Sequence, residues 1–147
     1  MPQSMYASFG TDPKLEKKGV WVDYGVFRVL LARAGGSNTK FQRLLEAKTK
    51  PYRFAIEKGL LPNEKAEDLY LEAFCEGVVL DWQIPDTSSK DGWKSGIEAQ
   101  DGGTLDVTLE NKVATLKALP ELFKALSNDA NSATIYRQQL LEEDAKN

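Results

Sequence analysis

The stretch that most restricts this chain lies between Val20 and Arg33. Residues 20–24 (VWVDY) and 26–33 (VFRVLLAR) are two short runs rich in β-branched and aromatic side chains, the types that suit a pleated surface. Gly25 stands between them, where a tight hairpin turn requires a positive φ. A lone two-stranded hairpin is only marginally stable in water. The rest of the chain must therefore cover it, or it must pair with further strands.

Beyond the hairpin the spacing becomes helical. Ser37 and Asn38 are both good N-cap residues, and Phe41, Leu44, Leu45, Tyr52 and Ile56 fall near one helical face. Pro51 divides this stretch into helices at about 38–49 and 51–58, and Gly59 ends the second. A helix over 63–81 comes next, with Leu69, Tyr70, Ala73, Phe74, Gly77, Val78 and Leu80 at steps of three and four. Residues 83–107 are polar and Gly-rich and read as a long loop. Thr108 caps a helix on which Val113, Leu116 and Leu119 face inward, and Pro120 opens a continuation carrying Leu122, Phe123 and Leu126. Residues 127–132 (SNDANS) read as a break before a last helix with Ile135, Tyr136 and Leu140. The expected fold is α+β and mainly helical, an N-terminal antiparallel β-hairpin followed by four to six helices. Residues 1–18 read as a flexible arm, 19–140 as one domain and 141–147 as a frayed tail.

Composition removes several function classes. The chain has no histidine. That excludes Ser-His and Cys-His catalysis and takes away the commonest zinc ligand. Cys75 is the only cysteine and sits in a helical pattern among acidic neighbours, as a small buried hydrophobe would. The net charge of −3 argues against a nucleic-acid partner, and no run approaches the ~20 apolar residues of a membrane span. The first residues hold no apolar core of signal-peptide length, so the expected location is the cytoplasm. Charge is divided: residues 37–58 carry six Lys or Arg against two Glu, and residues 63–81 carry six acids against Lys65. Favourable pairing between adjacent helices is the simpler reading, and head-to-tail joining of subunits the sharper one.

The stretch ARAGGSNTK at 32–40 could form a phosphate-binding turn, a strand leading through glycines to a helix N-terminus. Yet GxxxxGK[ST] and GxGxxG are both absent, so Gly35 and Gly36 are read as a connector. Asp81 has no evident acid–base partner, and Asp101 and Asp106 lack the calcium-loop pattern. No catalytic residues, metal or cofactor are expected. Trp21 and Trp82 lie in patterned elements and read as core or semi-core, whereas Trp93, in the polar loop, is a candidate interface anchor or a lid folded back on the core.

One ordered set of residues resembles a known family. Gly19-Val20-Trp21 is followed by a short hairpin with Phe27, then Ala32-Arg33, Asn38, Phe41 and Lys50-Pro51-Tyr52-Arg53. Asp81-Trp82 closes the next helix, and Thr108, Glu110-Asn111, Leu119-Pro120, Leu122-Phe123 and Tyr136-Arg137 come after the linker. This order, over residues 19–137, is similar to the tail assembly chaperones of long-tailed bacteriophages, although the linker is longer and richer in glycine than is usual there. The resemblance implies a non-enzymatic morphogenesis factor that binds the tape measure protein in the cytoplasm of the infected host and is absent from the mature virion. The tail tube protein is a further expected partner, and self-association is expected from the residues themselves, through the hairpin's open edges, the surplus apolar surface of 69–82 and the unlike charges of 37–58 and 63–81. The partner-binding candidates are Trp21, Phe27, Arg33, Trp82, Trp93 and Phe123. The competing readings are a head–tail connector or other minor virion protein, and a small phosphate-binding enzyme.

Overall fold

The computed structural model describes residues 4–137. The fold is α+β. Two short helices, α1 (Met5–Phe9) and α2 (Pro13–Lys18), precede strands β1 (Val20–Asp23) and β2 (Arg28–Leu31). Helices α3 (Thr39–Thr49), α4 (Arg53–Glu57) and α5 (Asn63–Gly77) come after them, with a 3-10 turn over Lys50–Tyr52. Strands β3 (Val79–Pro85), β4 (Trp93–Ser95), β5 (Ile97–Glu98) and β6 (Thr104–Leu105) are next, then α6 (Leu109–Ala118) and α7 (Pro120–Asn131). A 3-10 turn over Thr134–Tyr136 closes the described chain.

The hairpin forms as its residues require, with Gly25 at φ +91°. It pairs with more chain than expected, however. The order β1-β2-β3-β4 is a four-stranded antiparallel sheet, and β5-β6 is a separate pair beside it. The helix expected over 63–81 stops at Gly77, and Val79 begins a seven-residue strand. Residues 83–107 are accordingly built rather than a loop. Asp86 and Asp91 accept hydrogen bonds from the backbone N–H of Ser88 and Trp93 to form the β3–β4 turn, and Gly92 takes φ +84°.

Alternation along the strands gives the sheet two faces. Val29, Leu31, Val79 and Trp82 are buried on the inner face, with Phe74, Leu116, Leu126 and Ala130 of the helices behind them. Trp21, Arg28, Leu30, Asp81, Gln83 and Trp93 lie on the outer face by register. A bulge between Leu30 and Leu31 shifts the β2–β3 pairing, so Leu31 meets Val79 while Leu30 meets Asp81.

Four local expectations are corrected. Residues 4–18 are mostly helical and tied down. Asp12 caps α2 and its N–H bonds to Tyr136 O, Thr11 bridges Arg137, and Glu16 is 2% exposed. Only α1, which buries no residue, resembles an arm. The stretch 127–132 does not break the chain, because α7 runs on to Asn131, where the Asn131 amide bonds back to Ser127 O. Leu119 is 51% exposed: it ends α6 in non-helical backbone ahead of Pro120 and faces outward. In place of a last helix from 133 there is a single 3-10 turn, and Leu140 and the tail at 141–147 lie outside the described residues.

The α3–α5 crossing depends on Gly77. A Cβ there would lie 3.0 Å from the Phe41 Cα and 3.1 Å from Leu44 Cδ1. Gly77→Ala gains roughly 1 kcal/mol of helix propensity and loses more to a backbone clash that no rotamer relieves. A net destabilisation of about 1–3 kcal/mol is expected, read as a lower urea midpoint with an unchanged slope.

Candidate functional site

The six candidate residues occupy four places. Trp21 and Trp93 meet on the outer face of the sheet, with Arg28 between them. Its guanidinium carbon lies 4.6 Å from the Trp21 ring centre and 4.7 Å from that of Trp93. Arg28 Nε donates to Gln83 Oε1 at 2.7 Å, and Asp91 stands 3.8 Å from Nη2. A hydrogen bond from the Ser89 hydroxyl, with a second from the Trp93 N–H, holds the Asp91 carboxyl below the usual carboxylate range. All four strands contribute to or flank this ladder, and Arg28 joins the two edges. Arg28→Ala removes both cation–π contacts, each contributing about 0.5–1 kcal/mol. The expected result is a red-shifted tryptophan emission with a small loss of melting temperature.

Phe27 and Trp82 lie on the other face and stack at 5.3 Å, with Tyr24 on the far side of Phe27 at 5.2 Å. Trp82 is 3% exposed, so it serves the core and is closed to a partner. Tyr24 Oη donates to Asp129 of α7, and Tyr136 Oη donates to Leu31 O at 3.1 Å. These two bonds fasten the hairpin to α7 and to the 3-10 turn that follows it. Burial first, then the Asp129 carboxylate, pushes the Tyr24 hydroxyl far above its ordinary value.

Arg33 explains the glycine-rich stretch. Its guanidinium pairs with the buried Glu16 carboxylate, which also accepts hydrogen bonds from the side chain and backbone of Ser37. Gly36 has φ +54°, and a Cβ on it would collide with Glu16 Oε2. The turn does hold an anion, the chain's own Glu16 carboxylate, bonded to Arg33 and Ser37. Asn38 makes no cap bond; its side-chain amide instead donates to Arg33 O and Gly77 O, joining the hairpin exit to the end of α5.

Burial raises the Glu16 pKa, but the bonds from Arg33 and Ser37 and the charge of Arg33 outweigh it, so the net position is below 4.5. A carboxyl depressed on folding contributes stability that is present above its unfolded pKa and lost as pH falls through the folded one. Thermal stability is therefore expected to drop with acid from about pH 4.5 downward. Glu16→Gln removes that component and costs roughly 1–3 kcal/mol at neutral pH, since Arg33 keeps partial access to water. Melting curves of both proteins between neutral pH and pH 3 measure the difference.

Phe123 lies in the fourth place. Together with Tyr70 and Phe74 it forms an aromatic cluster with ring centres 5.1–6.3 Å apart. On the surface side of this cluster, α5 and the α6–α7 corner enclose a groove of about 590 Å³. Tyr70, Leu71, Leu116 and Phe123 make its apolar floor. Glu64, Glu67 and Asp68 line the α5 wall, and Lys117 and Lys124 the opposite one. Lys117 and Asp68 close across it at 3.1 Å. The signal for this groove is present in the sequence as two amphipathic helices, but their adjacency is a tertiary fact.

Cys75 is fully buried, and burial pushes its thiol up to about 12. Lys112 is buried, donates to Val79 O at 2.7 Å and has its pKa lowered by burial. Among the described residues no group of three or more Cys, Asp or Glu is placed to hold a metal, and no buried side-chain nitrogen or oxygen lacks a partner. No helix among them is long and apolar enough to cross a membrane. Comparison of the chain with protein-family models, with curated proteins and with solved structures finds no match.

Proposed function

We propose that this protein is a non-enzymatic assembly factor of the tail assembly chaperone type, which holds the tape measure protein of a long-tailed phage until the tail tube surrounds it. The observation that carries the reading is the groove between α5 and α7, an apolar floor between charged walls. Such a shape suits the capture of an amphipathic helix. The ordered resemblance over residues 19–137 supports the same reading. So does the apolar surface: Phe9 is 81% exposed, Tyr6 72%, Phe54 69% and Leu60 68%. On this reading the chain acts in the cytoplasm of the infected host, makes no covalent change to its partner, and leaves before the virion is complete.

Self-association belongs to the proposal, driven by apolar surface. The charge division between α3 and α5 has a use within one subunit, because Lys48 lies 3.8 Å from Glu72 and 3.7 Å from Glu76. The tail tube protein is a further partner on this reading.

Co-expression with a tape measure protein from the same genome tests it. The expected outcome is a soluble tape measure protein that co-purifies with this chain, and purified particles free of it. A tape measure protein that stays insoluble, or this chain in stoichiometric amount in the particles, replaces the reading with that of a structural virion component.

A further inference from the structure

We infer that the α5–α7 groove binds one amphipathic helix whose two flanks differ in charge, a basic flank against α5 and an acidic flank against α7. This rests on the chaperone reading and assigns the surface that performs it. Both walls are helices with backbone bonded internally, so an extended peptide finds no strand edge here to pair with. A second copy placed groove to groove is a poor fit, because two concave surfaces facing each other leave both floors uncovered. A helix fits. The α5 wall runs from Glu64 to Leu71 and the α7 wall from Pro120 to Asn128, about 11–12 Å each at 1.5 Å per residue, or two turns.

The walls then decide what kind of helix. Asp68 is already engaged by Lys117. That leaves Glu64 and Glu67, three residues apart on an exposed helix face, as the charges offered by α5. Lys124 is the charge offered by α7, with the neutral Ser127 and Asn128 beyond it. A helix lysine-rich on both flanks meets Lys124 unfavourably, and one acidic on both meets Glu64 and Glu67. Only a helix with unlike flanks satisfies both walls. Because its flanks exchange when it is turned end for end, the wall charges also fix its direction in the groove.

The test uses the full chain and two synthetic fluorescein-labelled peptides of 18 residues with a common leucine face. One carries Lys along one flank and Glu along the other; the second carries Glu on both. Fluorescence anisotropy is expected to give about tenfold tighter binding of the first peptide to the wild type. In Glu64→Lys/Glu67→Lys, with both walls basic, the order reverses. Asn128→Trp, at an exposed position on the groove, abolishes binding of both peptides with an unchanged melting temperature. The proposal is overturned if the order of affinities survives the double substitution, if Asn128→Trp binds as the wild type does, or if neither peptide binds at high micromolar concentration. The two readings fail separately. Tape measure protein that co-purifies equally with wild type and both variants removes the groove and keeps the chaperone. Peptide binding that tracks the wall charges, with no capture of tape measure protein, does the reverse.

Discussion

The pairing of β2 with β3 is the constraint on which the rest of the structure depends. A hairpin of four-residue strands buries too little to persist alone. The chain completes it by converting α5 directly into a strand, with one residue, Val78, between Gly77 and Val79. Every close contact at this junction serves that conversion. Gly77 lets α3 approach to backbone distance, Asn38 bonds the last carbonyl of α5, and Lys112 bonds the first carbonyl of β3. The Ala32 N–H takes the Val78 carbonyl, so hairpin and helix end are joined on both sides of the turn. A buried lysine is a costly way to satisfy one oxygen. Its presence reflects how few other donors can reach a backbone group at the centre of the core.

Much of this architecture is legible in the residues, and the exceptions have physical causes. The hairpin, its turn at Gly25, the division of helices around Pro51 and the cap at Thr108 follow from local chemistry, and each appears within a residue or two of its expected place. Strand β3 is hidden by its bulge. An extra residue between Val79 and Trp82 breaks the alternation, and the two buried side chains end up three apart, as on a helix. The turn residues Asp86, Asp91 and Gly92 are visible, but turn chemistry without recognised strands on both sides reads as loop. Glu16 cannot be read from its neighbours. In PKLEKKG it looks like one more solvated charge, and only the fold brings Arg33 and Ser37 around it.

The candidate site is legible in part. Trp21 and Trp93 each stand out in the sequence; the arginine that unites them does not, because a strand arginine is ordinary until its neighbours are known. Trp82 works in the core, as its patterned setting suggests, and is closed to a partner. Phe123 enters by resemblance, and its wider setting, a groove with unlike walls, emerges only when α5 and α7 are side by side. Helix pairing of this kind rests on contacts distant in sequence, which local patterns do not encode.

The two tyrosine bonds have a consequence for how the protein is made. Tyr24 reaches Asp129 and Tyr136 reaches Leu31, each across 105 positions of chain. The hairpin thus leaves a ribosome well before the two residues that bond to it. At about 5–20 residues per second, the gap lasts on the order of ten seconds, during which Tyr24 and the Leu31 carbonyl wait for their partners. Loop closure over such a span is entropically demanding and slows completion further. The described fold is therefore fully fastened only once residues 129–136 have been made.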